Sequence, residues 1–269
     1  MVIQHNIAAN NAYRNLSSNA SNGQKNLEKL SSGYRINRSA DDAAGLAISE
    51  QMRSKINGLD QASANASDAI GLIQTAEGAL TETHSMLQRM VTLATQSANG
   101  TYNSTARAAI GEEVTALKAE IDRISSTTDY NGVKPIGSTS AITVQIGPTS
   151  GETLEITAAK MDSASLRVSA ISVSTVSDSN AAITAINKAI NTVSTHRAKL
   201  GASQNRLEHT INNLKTTNEN MTAAESRIRD TDMAKEMAAF TKNNILNQAA
   251  QSMLSQANQQ PQGVLSLLR

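Results

Sequence analysis

Four histidines, His5, His84, His196 and His209, carry the side chains best suited to proton transfer or metal ligation near neutral pH. Their spacing serves neither purpose. No His-Glu-x-x-His helix motif and no EF-hand loop occurs. Ser, Asp and His are all present, but no Gly-x-Ser-x-Gly turn accompanies them. The glycines form neither a G-x-G-x-x-G fingerprint nor a P-loop. Each His is therefore expected to be a surface or packing residue. No catalytic, cofactor or metal site is expected, and the absence of cysteine removes disulfide and thiol chemistry. One constellation has chemistry of another kind. Gln88, Arg89 and Leu93 stand at i, i+1 and i+5, and Ile110 and Glu113 stand three apart further on. On two antiparallel helices these five form one patch suited to binding, with an inter-subunit packing face as its primary role.

The elements that must position such a patch are set by apolar rhythm. Ile183, Ile186, Ile190, Val193, Arg197, Leu200, Gln204, Leu207, Ile211, Leu214, Asn218 and Met221 recur three and four apart. That spacing keeps one helix seam facing a partner helix. Matching seams run through Tyr13, Leu16, Ala20, Gly23, Leu27, Leu30 and Tyr34, and from Ala66 through Ile73, Leu80 and Leu87 to Ala94. Ile110, Val114, Leu117, Ile121 and Ile124 make a third. After Thr231, Met233, Met237, Phe240, Leu246, Ala250, Met253 and Ala257 line one side. The reading is mainly α: a long coiled-coil helical rod of N- and C-terminal segments packed together, with a small β-hairpin at the mid-sequence tip.

Composition narrows the classes further. Aromatic residues are 2% of 269, so the core must come from Ala, Ile, Leu, Val and Met. Charged residues are 17%, below the roughly 25% of an ordinary soluble domain. A surface of neutral Asn, Gln, Ser and Thr does not repel copies of itself, which favours burial against like subunits. The net charge of +1 and near absence of aromatics argue against nucleic acid as a partner. No apolar run approaches the roughly 20 residues of a membrane span. The start, Met1-Val2-Ile3-Gln4-His5, lacks the pattern of a secretory signal peptide.

Turn signals divide the chain. The first helix is expected to reach Ser31-Ser32-Gly33, and the second to open with Ser39 as N-cap and stop at Asn57-Gly58. Helices are expected over about 60–98 and 105–127. Ile142, Val144 and Ile146, then Gly147-Pro148-Thr149-Ser150-Gly151, then Leu154 and Ile156 predict a hairpin with a five-residue connection. Residues 158–176 fit loop or further strand. Helix resumes to about Arg229, breaks at Asp230-Thr231-Asp232, and a last helix runs to about Gln259, where Pro261 and Gly263 are expected to end it. This gives an inner domain of 1–40 plus 230–269 and a rod domain of 41–229, within which 133–176 is a short variable region.

Long ordered motifs then give a resemblance. Ser31-Ser32-Gly33-Tyr34-Arg35-Ile36-Asn37 with Asp41-Asp42-Ala43-Ala44-Gly45-Leu46-Ala47-Ile48 closely resembles bacterial flagellin. So do Leu87-Gln88-Arg89-Met90, Gln96-Ser97-Ala98-Asn99-Gly100, Tyr130-Asn131-Gly132-Val133 and the tail Ile245-Leu246-Asn247-Gln248-Ala249 through Pro261-Gln262. The likeness covers about 1–135 and 177–269, in a short form without large outer domains. It implies a structural, non-enzymatic subunit that polymerises helically into the extracellular flagellar filament used for motility. It also implies export, unfolded, by the flagellar type III apparatus. The implied partners are copies of the chain, flagellar junction and cap proteins, an export chaperone on the C-terminal segment, and the innate Toll-like receptor for flagellin on the Gln88, Arg89, Leu93, Ile110 and Glu113 patch, with Arg89 as anchor. The terminal assembly seam is Leu16, Leu27, Leu30, Met237, Phe240, Leu246, Met253, Leu265 and Leu268. Ser and Thr of 138–177 match a region that is sometimes O-glycosylated in relatives.

Two other readings share the long heptads. A chemoreceptor-like signalling rod has a helical turn at its tip and needs a membrane span or receptor partner; this chain carries a hairpin signal and no span. A junction protein related to flagellin shares the terminal seams but usually lacks the Leu87–Gly100 and tail motifs together.

Overall fold

The computed structural model describes residues 5–267, with side chains described through residue 260. Helix α1 spans Ile7–Ser32, α2 Ala43–Ser97, α3 Ser104–Thr127, α4 Val176–Arg229 and α5 Met233–Leu267; strands β1 (Ile142–Gln145) and β2 (Thr153–Ile156) lie between α3 and α4. The chain is mainly α with one small antiparallel hairpin. It divides into two compact units, Met1–Ile56 with Glu219–Arg269, and Asn57–Asn218.

In the first unit α1 pairs with α5. Asn6 caps α1 by accepting from the Ala9 N–H at 3.0 Å, and Gly33 closes it in the left-handed conformation at φ 76°. The connectors after α1 and α4 are tied together. Arg35 N–H donates to the Arg229 carbonyl at 2.6 Å, and Thr231 N–H to the Gly33 carbonyl at 3.0 Å. The Arg229 guanidinium sits 4.6 Å from the Tyr34 ring centre and pairs with Glu50 at 2.8 Å. Asp232 recaps α5 through the Ala234 and Lys235 N–H groups.

The second unit holds the main core. Ala66, Ala69, Ile73, Ala76, Leu80, Leu87 and Met90 of α2 meet Ile110, Val114 and Ile121 of α3 and Ile186, Val193, Leu200 and Leu207 of α4. Leu154 and Ile156 of β2 and Met161, Leu166, Val168 and Val173 complete it. The hairpin register pairs Ile142 with Ile156 and Gln145 with Thr153. Ile146 N–H bonds to the Glu152 carbonyl at 2.9 Å, which leaves the expected five residues, 147–151, as the enclosed connection. Asn65 of α2 donates to the Gln145 carbonyl at 3.1 Å and ties the outer edge of β1 to the helix. Residues 158–175 form no strand; they are a loop held on α3. Asp122 accepts from Ser163 N–H and Oγ–H at 2.7 and 2.8 Å, and Lys118 donates to the Ser169 and Ile171 carbonyls.

Four expectations are corrected. Helix α2 does not stop at Asn57-Gly58. Gly58 stays helical, and the missing side chain admits Pro148, whose Cβ lies 2.8 Å from where a Cβ on residue 58 would be. The N-cap of α2 is Asp42, which accepts from Gly45 N–H at 2.9 Å, while Ser39 lies in the connector. Asp41 instead takes the Asn37 and Arg38 N–H groups, and those bonds hold its carboxyl below its usual range. Helix α5 continues through Pro261 to Leu267, because a proline's fixed φ is already helical and its cost is one absent N–H donor with local crowding. The α4 core line runs through Ala182, Ile186, Ala189, Val193, His196 and Leu200, so Ile183, Ile190 and Arg197 stand at its margin.

Candidate assembly surfaces

Helix α1 turns a strict three–four series toward α5: Ala9, Ala12, Leu16, Asn19, Gly23, Asn26 and Leu30. The answering residues on α5 are Glu236, Ala239, Phe240, Asn243, Asn247, Ala250, Leu254 and Ala257. The seam is built mainly from small and carboxamide side chains. With its amide turned so that oxygen and nitrogen both meet complementary partners, Asn26 donates to the Asn22 carbonyl at 3.1 Å and to Glu236 at 3.0 Å, and accepts from Asn243 at 2.9 Å. Asn6 donates to the Ala257 carbonyl at 2.8 Å. Gly23 is the one fully buried residue of α1, and none of the described side chains of α5 is fully buried.

The large apolar side chains of the pair mostly face away from it. Ile7 is 70% exposed, Tyr13 63%, Leu27 54%, Met237 50%, Ile245 61% and Met253 62%. Met233 and Leu246 are exposed as well. Of the sequence-predicted seam residues, the structure places Leu16, Leu30 and Phe240 half-buried between the helices. It places Leu27, Met237, Leu246 and Met253 on the open side. Leu268 lies outside the described residues, and so does the Leu265 side chain. Sequence reasoning missed Ile7 and Ile245 as surface-forming residues. Their signal was their apolar type off the inner rhythm, since two overlapping heptad stripes look alike until one is assigned a partner.

In the second unit, α2 and α3 bring Arg89 and Glu113 together. Arg89 Nε and Nη2 each lie 2.8 Å from the same Glu113 carboxylate oxygen, and both side chains remain about half exposed. Gln88 is exposed and lies 3.0 Å from His84 Nε2. Leu93 and Ile110 lie beneath, 2% and 8% exposed, as part of the core. The five residues therefore form a polar surface of Gln88, Arg89 and Glu113 on an apolar floor, rather than one exposed patch.

His196 faces a cleft of about 360 Å³ lined by Thr157, Ala159, Met161, Asn191, Thr192, Thr195 and Lys199. Its Nε2 is buried without a hydrogen-bond partner. Burial pushes the imidazole below its ordinary value, and the Lys199 ammonium adds to the effect. No carboxylate or second imidazole lines the cleft, so the histidine has neither a base partner nor a metal co-ligand. Among the described residues no group of three or more His, Asp or Glu could hold a metal ion, and no helix is long and apolar enough to cross a membrane. The chemistry available to these surfaces is association.

Comparison with known proteins bears on what associates. Residues 3–136 match the model for the bacterial flagellin N-terminal helical region, and residues 183–268 that for the C-terminal helical region. The chain is 55% identical to the flagellin of Halalkalibacterium halodurans over 272 residues, and 52% identical to that of Bacillus subtilis over 304 residues, with both chains covered fully in each case. The crystal structure of Bacillus cereus flagellin is 33% identical, superposes with a TM-score of 0.52, and matches 60% of this chain and 94% of that one.

Proposed function

The chain belongs to the bacterial flagellin family, and we propose on that premise that its terminal helix pair polymerises through the apolar side chains it leaves outside. The protein is a structural, non-enzymatic subunit of the extracellular flagellar filament, and copies of itself are its principal partners. The observation that supports the residue-level reading is the inverted burial of α1 and α5: small and carboxamide side chains inside, Tyr13, Leu27, Met237, Leu246 and Met253 outside. Exposed apolar stripes of this kind mark interfaces. A subunit that presents two different complementary surfaces packs head to tail and grows an open helical filament.

In this reading residues 1–40 and 230–269 supply the inner coiled coil of the filament, and 41–229 supply the rod domain with 133–176 as its variable part. The thin α1–α5 seam gives little order to an isolated subunit, so the pair orders fully when neighbours cover the outer stripe. The ordering entropy is then offset by burial at the moment of docking. A pair so weakly held also suits unfolded export through the type III apparatus. Before assembly the same α5 stripe is open to an export chaperone. At the filament ends the terminal surfaces meet junction and cap proteins. Arg89, half exposed beside Glu113, is the anchor through which the innate Toll-like receptor for flagellin takes the unassembled subunit, since Arg is enriched at interface hot spots.

The test is a pair of charge insertions, Leu27→Lys and Met253→Lys, in the full chain. Seeded polymerisation followed by sedimentation and negative-stain microscopy should show loss of filaments, while the circular dichroism spectrum of the soluble chain stays unchanged. Filaments that form normally from both variants would refute the assignment.

A further inference from the structure

Asn-Gly occurs four times in the chain, at 22–23, 57–58, 99–100 and 131–132. In such a pair no Cβ shields the glycine nitrogen from the asparagine side chain. Fold, not sequence, must then decide which pairs react. We propose that Asn99–Gly100 is a site of spontaneous covalent modification, converting through a cyclic imide to aspartate and isoaspartate. The Gly100 nitrogen forms a bond to Asn99 Cγ and gives up its proton, and ammonia leaves from Cγ. Water then opens the ring at either carbonyl, giving Asp or its backbone-lengthened isomer. Nothing is oxidised or reduced, and water is the one co-reactant.

The two other pairs of the same compact unit are closed. Gly58 lies inside α2, where the helical ladder holds its N–H group, and Gly23 is held in the same way only while α1 is formed. Asn131–Gly132 sits in a tight turn, with φ of 52° and 84°, closed by Tyr130 N–H to Val133 O at 2.9 Å and Val133 N–H to Tyr130 O at 3.0 Å. The Gly132 N–H is further held by Asp129 at 3.0 Å. A nitrogen tied in this way does not swing onto Cγ.

Asn99 and Gly100 follow the end of α2 and are exposed. Among the described residues no acceptor holds the Gly100 N–H. The Asn99 side-chain carbonyl accepts from Thr101 N–H at 3.2 Å, and that donor faces the oxygen on which negative charge develops during attack. The product carboxylate also has a neighbour of opposite charge. Arg107 Nη2 donates to the Asn99 backbone carbonyl at 3.1 Å, and Arg107 Nε is buried without a partner.

Timed incubation of the purified full chain in mildly alkaline buffer, with peptide mapping that separates Asn, Asp and isoaspartate, tests this. Asn99 should convert severalfold faster than Asn57 and Asn131, which share its compact unit. The three rates should converge in denaturant. The variant Gly100→Ala should slow the reaction strongly without loss of fold, because a Cβ there meets nothing within 4 Å. Conversion at Asn57 or Asn131 as fast as at Asn99, or an unchanged rate in Gly100→Ala, would overturn the proposal.

Discussion

Gly23 of α1 faces Asn247 of α5 across the terminal seam: a Cβ on residue 23 would stand 3.8 Å from the Asn247 side-chain nitrogen. That is ordinary contact, so alanine fits while a larger side chain wedges the pair apart. Gly23→Ala should therefore be neutral or stabilising by up to about 1 kcal/mol through helix propensity. Gly23→Leu should cost about 1–3 kcal/mol through overpacking. Thermal unfolding of assembled filaments, followed by circular dichroism, measures both.

Two glycines of the same helix α2 should respond in opposite directions. At Gly78 a Cβ meets nothing within 4 Å, so Gly78→Ala should stabilise by about 0.5–1 kcal/mol. At Gly58 it would lie 2.8 Å from Pro148 Cβ and 3.3 Å from its Cα. Gly58→Ala should lose about 1–3 kcal/mol, and the double variant with Pro148→Gly should recover much of that. Equal melting shifts for both single variants would contradict the packing described.

His196 should make the Asn57–Asn218 unit sensitive to acid. Its folded value lies below the ordinary one near 6.5, so the folded state binds fewer protons than the unfolded chain across that interval. The stability it permits is fully present above about 6.5, and is lost as pH falls through the folded value. His196→Leu, similar in volume and without charge, should flatten that part of the melting-temperature profile. An unchanged profile would mean that the imidazole takes up its proton without opening the cleft.

Arg89 and Glu113 are half exposed, so their pairing contributes at most about 1 kcal/mol. Arg89→Ala should leave the melting temperature of the soluble chain nearly unchanged while weakening its capture by the receptor ectodomain in a surface-binding assay. A large melting shift with unaltered capture would make the residue purely structural.

Much of this architecture was readable from the chain because helix seams are a local, periodic signal. Ile73, Leu80, Leu87, Ile186, Val193 and Leu207 all fell on their expected core faces. The hairpin was readable because Val144 and Leu154 alternate around Gly147-Pro148. What failed was long-range in origin. Asn57-Gly58 has the composition of a helix stop, yet its glycine serves Pro148, ninety positions away in sequence. Leu27 and Leu30 look equivalent in a heptad count, and only the position of α5 separates the open one from the half-buried one. Leu93 and Ile110 were grouped with Arg89 by spacing, but spacing does not tell a surface from the floor beneath it. The loop of 158–175 gave no pattern because side chains of α3, Lys118 and Asp122, fix it rather than any repeat of its own.

In the proposed assembly α1 and α5 gain lasting order from neighbouring copies. Their shared seam fully buries only Gly23 among its described side chains, whereas α2 alone buries Ile73, Leu80, Leu87 and Met90. Local stability should follow that difference in burial. Hydrogen exchange read by mass spectrometry on the soluble chain and on filaments tests it most directly. Exchange should be rapid over 7–32 and 233–260 in the soluble chain, slow over 66–94, and slow throughout once filaments form. Terminal helices as protected in the soluble chain as the middle of α2 would contradict it.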